Sequence, residues 1–297
     1  MSDAQHTMQT DPRVMQSFAL ITLTIPEGLS DVLEPVYPVV ARLSMSSPGS
    51  GLPSPANLLL ACRRLAFAQH VAELFVLADK NGNADQFQAD QRFAMGVLSI
   101  TGAVDNCARF LNDLMSLGAA GLGLDLFKAG FQKKVFAALP ALEDPVNQHT
   151  AGLQTIRRYR HAIAHNAIPL VVTHSETGRM VVTSHPDIAD SVEQFLDPAA
   201  GAMRDAAPVT DLLVEALSHA RSLVAAACRE AARELSRRGL EIPRQPSPNE
   251  YGRALAMLVR TGDYNRQDTG PVISEWVRKA GLIQKRAAED VSSQEDS

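Results

Sequence analysis

The chain has 297 residues, of which 45% are apolar and 21% are charged, and its formal net charge is -5. This length allows one sizeable hydrophobic core with smaller appended elements. The small negative charge excludes a molecule whose whole surface is basic, so any contact with nucleic acid must be made by a local patch.

Cysteine usage and hydropathy indicate the compartment. The three cysteines, Cys62, Cys107 and Cys228, lie far apart and form no CxxC pair, which is typical of core residues in a reducing compartment. No apolar run reaches the roughly 18 to 20 residues that a membrane span needs. The apolar stretch that starts at Val14 is interrupted by polar residues and follows no strongly basic region, so it is not interpreted as a signal peptide. The sequence therefore predicts a cytoplasmic protein with no membrane contact.

Residues 1–50 are predicted to form an N-terminal segment. FALITLTI, residues 18–25, is rich in β-forming residues and ends at Pro26, which predicts a strand, with a short helix after it. SMSSPGSGLPSP, residues 44–55, has the composition of a linker, so a domain boundary is predicted there.

Residues 51–240 are predicted to form a helical bundle. Apolar residues at three- and four-residue spacing predict one helix at 56–78 and a second from about 86 to 117. Two further helices are predicted before Pro140 and before Pro169, because proline ends a helix.

A β-hairpin inserted at about 168–184 is predicted from IPLVVTH and RMVVTSH, which flank SETG. A long helix should follow, with Thr210 and Asp211 as its starting caps and its end at Gly239. Residues 241–297 are predicted to form a short helical extension with a disordered tail. The predicted fold class is all-α: mainly a helical bundle, with a small β-hairpin and an N-terminal strand.

The stretch RRYRHAIAHN, residues 157–166, carries most of the chemistry in the sequence. On a helix wheel, Arg160 is predicted to lie within an apolar stripe, where an arginine is costly unless it is paired. The other members of that stripe are Leu153, Ile156, Ile163 and Ala167. Arg157, His161 and His165 follow one another at four-residue spacing on the adjoining face, so the two histidines are neighbours.

A cation beside a histidine suits cleavage of an RNA phosphodiester. The 2′-hydroxyl attacks phosphorus once a base takes its proton, the leaving 5′-oxygen needs an acid, and the intermediate needs positive charge. Histidine serves both proton transfers near neutral pH, and an arginine fork suits phosphate oxygens. No metal is required for that route.

Arg160-His161-Ala162-Ile163-Ala164-His165 resembles the R-x4-6-H signature of HEPN domains, in which a polar residue usually follows the arginine. In that family the signature lies late in a helix of a four- or five-helix bundle, and two subunits join their motifs in a cleft that cleaves RNA without metal. The resemblance covers roughly residues 56–238. It implies that Arg160 contacts phosphate, that His161 orients it, and that His165 is the acid or base.

The same resemblance implies a homodimer with an RNA substrate and no cofactor. Members of the family often act in toxin-antitoxin or antiviral defence systems, so an antitoxin or regulatory protein is a possible partner. Arg157, Arg158 and Asn166 are the further candidates for RNA or phosphate contacts. Arg160 and His165 lie about 140° apart on an ideal helix. They converge only if the helix unwinds near His165 or if two subunits share the site.

Three other interpretations stay open from the residues. The stretch can be a solvated basic helix end, where cations meet the negative end of the helix dipole. His161 and His165 can bind zinc on one helix face, although Ala162 stands where HExxH has glutamate and no third ligand is evident. The whole chain can be a non-catalytic helical module that binds a protein or an RNA.

Two weaker signals concern the surroundings of the motif. Asp105 and Asn106 are polar in the middle of a helix, where they either support the arginine across the bundle or simply face outward. Lysines and arginines elsewhere form local clusters, which either extend a phosphate-binding surface or solubilise helices that also carry acidic residues. These residues are Lys128, Lys133, Lys134, Arg229, Arg233, Arg237 and Arg238.

Overall fold

The computed structural model describes residues 30–44, 50–81, 86–165, 170–173, 177–183 and 206–242. Within these ranges the chain forms seven α-helices and a three-stranded antiparallel sheet, which confirms the mainly helical fold class. The helices are α1 (Ser30–Ser44), α2 (Ala56–Asn81), α3 (Gln86–Met115), α4 (Ala129–Ala138), α5 (Glu143–Gly152), α6 (Gln154–Ala164) and α7 (Val209–Arg237). The strands are β1 (Val171–Thr173), β2 (Met180–Thr183) and β3 (Ala206–Pro208).

The centre of the bundle is the pair α2 and α3, on which α7 packs. The apolar spacing of α3 buries its whole inner face, including Phe93, Val97 and Ile100, each of them fully shielded from solvent. Gly96 lets α3 approach its neighbours closely, because a Cβ at this position would lie 3.2 Å from side-chain atoms of both Val71 and Leu213. The bundle predicted from three- and four-residue spacing therefore has a tightly packed core.

α7 also packs against α1, so this helix, which comes directly before the Ser/Pro/Gly linker, shares the core of the bundle. Val36, Val39 and Val40 of α1 are buried. Two prolines, Pro35 and Pro38, lie inside this helix. The predicted strand at 18–25 and the predicted C-terminal helices lie outside the described residues, as does the predicted tail.

Two helices, α5 and α6, stand where the sequence predicted one helix ending before Pro169. The break falls at Leu153, whose φ and ψ are -94° and 0°. Gly152 comes directly before it and has low helix propensity. Gly152 also leaves the space that the imidazole of His219 occupies, since a Cβ there would clash with that ring.

The predicted β-hairpin is confirmed, with β1 and β2 paired antiparallel and Val171 opposite Val182. β3 adds to the other edge of β2, with Ala207 opposite Val182. This third strand is too short to produce a recognisable alternation in the sequence, and it was not predicted.

The predicted caps of α7 are wrong, because the helix begins earlier, at Val209, after Pro208 in the N-cap position. Thr210 donates its hydroxyl to Asp79 Oδ2 at 2.7 Å, and Asp211 forms an ion pair with Arg179 at 2.7 Å. Both side chains therefore bind other elements instead of the helix end.

The predicted end of α7 is confirmed. Gly239 has a φ of 76°, and the Leu240 N–H donates to the Leu235 carbonyl at 3.0 Å. This arrangement is the usual left-handed stop of an α-helix.

All three cysteines are buried and free, as their spacing predicted. Burial raises the pKa of Cys62 and of Cys107 to about 12, and for Cys62 the neighbouring Cys107 adds to the rise. These thiols are core residues in their protonated form. Across the described residues, no helix combines the length and the apolar character that crossing a bilayer requires.

Candidate functional site

The helix that carries the motif, α6, is held against α3 by one large aromatic contact. Tyr159 is fully buried, and its ring meets that of Phe93 edge to face, with centroids 5.1 Å apart. Ile156 and Ala162 are buried beside it. Leu153 and Ile156 of the predicted apolar stripe are buried, and Ile163 packs against the core, which confirms that part of the prediction. The predicted placement of Arg160 within the stripe is wrong: the helix turns Tyr159 inward and leaves Arg160 at the edge, because burying the large ring removes more apolar surface from water.

Arg160 forms a two-point ion pair across the bundle with Asp105 of α3. Its Nη2 lies 2.8 Å from Asp105 Oδ2, and its Nη1 donates to Oδ1 at 3.3 Å. The two side chains remain 42% and 30% exposed. The support that the sequence suggested is thus confirmed for Asp105, whereas Asn106 is buried instead of facing outward.

Arg157 is held one turn earlier by the loop that precedes α4. Its Nη2 lies 3.1 Å from Asp125 Oδ2, and its guanidinium covers the Phe127 ring at 4.7 Å from the centroid. Such a contact combines charge pairing with cation–π attraction. The side chain is 35% exposed, so part of it stays accessible.

His161 and His165 lie side by side on the exposed face of α6. Their ring centroids are 4.4 Å apart, as their four-residue spacing predicted. Arg158 is also exposed, and Asn166 lies outside the described residues. The motif thus combines two paired arginines with two adjacent, accessible imidazoles.

The helix keeps its geometry as far as His165. The His165 N–H donates to the carbonyls of His161 and Ala162, both at 3.1 Å. α6 therefore does not unwind before this residue, and the roughly 140° between Arg160 and His165 on a helix remains. Arg160 and His165 were predicted to converge only if the helix unwinds or if two subunits share the site. The first condition is not met up to His165.

A zinc site at His161 and His165 would need a further ligand. In the ranges that the structure describes, no group of three or more histidine, cysteine, aspartate or glutamate side chains comes together. His161 and His165 therefore have no third protein ligand there, and a zinc site built by protein side chains normally needs at least three.

Most of the other basic residues are engaged locally. Arg237 and Arg238 both bind Glu234 at 2.8 Å, and Arg233 pairs with Glu230. Lys128 Nζ donates to the Leu122 carbonyl at 2.5 Å and Lys134 Nζ to the Leu117 carbonyl at 3.2 Å. These contacts favour solubilised helices and capped loops over a continuous phosphate-binding track. The Gly121–Gly123 segment forms a 3-10 turn in the loop between α3 and α4.

Sequence reasoning missed a second pair of histidines. His149 of α5 and His219 of α7 place their Nδ1 atoms 3.2 Å apart. Seventy positions separate them in the chain. No spacing pattern in the sequence indicates this contact. The one related sequence feature is Gly152, which leaves room for the His219 ring.

No protein-family model matches the chain, and neither a curated protein nor a solved structure shows significant similarity to it. The fold and the site define the chain as a helical-bundle protein with an arginine-histidine helix end. Its function must be argued from the residues of that site.

Proposed function

We propose that the chain is a metal-independent endoribonuclease of the HEPN type that acts as a homodimer. The observation that carries this proposal is the arrangement at the end of α6. There Asp105 orients Arg160, and the imidazoles of His161 and His165 are exposed side by side on another part of the same helix end. A fixed cation and accessible proton carriers, brought together at one phosphate, are what cleavage by 2′-hydroxyl attack requires.

The ion pair with Asp105 leaves Arg160 able to bind phosphate. A guanidinium has five N–H donors, and the pair engages one on each Nη atom. The side chain is 42% exposed, so the remaining donors can meet phosphate oxygens. Asp105 holds the guanidinium in one orientation in advance, which lowers the entropic cost of binding.

The active site of this proposal is shared between two subunits. Because α6 is intact up to His165, one subunit directs Arg160 and His165 to different sides. A two-fold related pair of α6 helices brings Arg160 of one subunit to His165 of the other. His161 then assists Asp105 in orienting Arg160, while Arg157, Arg158 and Asn166 contact neighbouring phosphates.

The reaction needs only proton transfers and charge. A histidine takes the proton of the 2′-hydroxyl, whose oxygen forms a bond to phosphorus as the bond to the 5′-oxygen breaks. A protonated histidine of the site gives its proton to the departing 5′-oxygen, and the products are a 2′,3′-cyclic phosphate and a 5′-hydroxyl. Arg160 stabilises the charge on the phosphate oxygens, and His165 is the acid or the base.

The resemblance to HEPN domains also suggests the biological setting. A cytoplasmic ribonuclease of this type would act in a toxin-antitoxin or antiviral defence system. An antitoxin or another regulatory protein would then bind it.

A non-catalytic helical module that binds a protein or RNA is the alternative. It is favoured by the ion pairs themselves, because Asp105 and Asp125 already neutralise Arg160 and Arg157. Such pairs can serve only to fix α6 to the bundle. In that case a monomeric chain would bind its partner without cleaving RNA.

The test is cleavage of a labelled structured RNA by the purified chain in excess EDTA. We expect His165→Ala to reduce the rate by about 10²- to 10⁴-fold, the usual contribution of a general acid or base. His70→Ala is the matched control, because His70 is also an exposed helical histidine but lies on α2. Intact RNA with the unaltered chain, or equal losses in both variants, would favour the interaction module.

A further inference from the structure

A second polar site lies between α5 and α7 and uses none of the motif residues. It is a cavity of about 290 Å³ whose polar lining is formed by Gln148, His149, Ser222 and Arg229. Its remaining walls are small apolar groups from Pro145 and two alanines. Volumes of this order are found in small-molecule sites.

The histidine of this lining, His149, is held in place by a second histidine, His219. His149 Nδ1 lies 3.2 Å from His219 Nδ1, and the two rings are tilted by 57°. The His219 ring is packed against Gly152, and its Nε2 lies 3.8 Å from Glu215 Oε1. These contacts occupy Nδ1 of His149 and leave its Nε2 as the nitrogen that can meet a ligand.

The lining of this cavity carries a positive group and no negative one. No carboxylate contributes to its lining. Arg229 is exposed, and no ion pair engages it among the described residues, in contrast to Arg233, Arg237 and Arg238 on the same helix. A guanidinium, an imidazole, a hydroxyl and an amide therefore converge without a balancing anion, which is the donor set of an anion site.

We propose that this cavity binds the phosphate group of a small phosphomonoester. A phosphomonoester presents three terminal oxygens and up to two negative charges to the donor groups of Arg229, His149, Ser222 and Gln148, whereas a carboxylate presents two oxygens and one charge. No phenylalanine, tyrosine or tryptophan lines the cavity, and its one imidazole, that of His149, is assigned to the phosphate, so no side chain of the lining is left on which the bases of an RNA strand could stack. The small apolar walls fit a compact ligand instead.

The protonation of His149 should couple this binding to pH. Burial lowers the pKa of His149 below its usual 6.5, and the charges of His219 and Arg229 lower it further. Those two groups of α7 face it, while Glu215 reaches it only through His219. A bound anion favours the imidazolium, so binding takes up a proton and is tighter at pH 6 than at pH 8. Sulfate stays doubly charged over this range and isolates the contribution of the protein.

The experiment is an NMR titration of the full chain, carrying ¹³C-labelled histidine, with sulfate and with ribose 5-phosphate at pH 6. The His149 resonance is assigned by its absence from His149→Gln. We expect a saturable shift with both ligands and about a 10- to 100-fold weaker affinity in Arg229→Gln, as for loss of a charge-assisted hydrogen bond. Arg237→Gln, which removes an exposed arginine of the same helix, should bind as the unaltered chain does.

Three results would overturn the proposal. One is a linear, non-saturating shift, and another is an equal loss of affinity in Arg237→Gln. The third is an equally strong response to an RNA oligonucleotide with hydroxyl ends, which would make the cavity a contact for the RNA backbone. His165→Ala should retain the phosphate response, so failure of the ribonuclease proposal and failure of this one are separately visible.

Discussion

Replacing Tyr159 by phenylalanine tests how α6 is held in place. The Tyr159 side chain is fully buried, and its hydroxyl has no hydrogen-bond partner among the described residues. Burial accordingly raises the pKa of Tyr159. A buried polar group without a partner costs about 1 to 3 kcal/mol, and phenylalanine keeps the ring that packs on Phe93. We therefore expect Tyr159→Phe to raise the free energy of unfolding by about 1 kcal/mol.

The assay is urea unfolding of both proteins, with thermal unfolding beside it. An increase of 1 kcal/mol corresponds to roughly 2 to 4 °C in the midpoint for a domain of this size. Tyr159→Ala is the contrasting variant and should lose about 3 to 5 kcal/mol, because it also leaves a cavity. If Tyr159→Phe instead lowers the free energy of unfolding by more than about 1 kcal/mol, the hydroxyl has a hydrogen-bond partner in the native protein, and the expectation is wrong.

Two further predictions concern acid stability and glycine packing. The pKa of Glu234 is lowered by hydrogen bonds from its arginine partners, so the stability it contributes is present above about pH 4.5 and lost as the pH falls through the folded value. In Glu234→Gln the midpoint of thermal unfolding should therefore fall less between pH 6 and pH 3 than in the unaltered chain. The same pH dependence in both proteins would contradict a stabilising interaction of Glu234 with its arginine partners. Gly152→Ala should cost about 1 to 3 kcal/mol, because the new Cβ meets the packed ring of His219. Gly102→Ala should cost much less in the same unfolding assay, since only the exposed, flexible side chain of Arg64 must move; equal costs would contradict this difference.

The sequence predicted the elements with strong local signals. Apolar spacing located α2 and α3, and the turn at SETG located the hairpin. Gly239 marked the end of α7 because a left-handed residue stops a helix there. These features depend on neighbours within one or two turns of the chain.

Features that depend on contacts between residues far apart in the sequence could not be predicted from local patterns. Tyr159 and Arg160 are only about 100° apart on α6, so a wheel drawn on apolar residues cannot decide which of them turns inward. The contact with Phe93 of another helix decides it. Likewise, Asp105 could be suggested as a partner of Arg160 but not assigned, and the His149–His219 pair had no local signal.

In the proposed ribonuclease, Arg160 of one subunit and His165 of the other act on a single RNA phosphate. Arg160→Gln and His165→Ala each remove one half of every site, so each variant alone should fail to cleave RNA in EDTA. After the two variants are mixed and their subunits exchanged, half of the dimers contain one intact site, and about a quarter of the unaltered activity should return. A mixture as inactive as its components, made from variants that dimerise and exchange normally, would contradict the shared site.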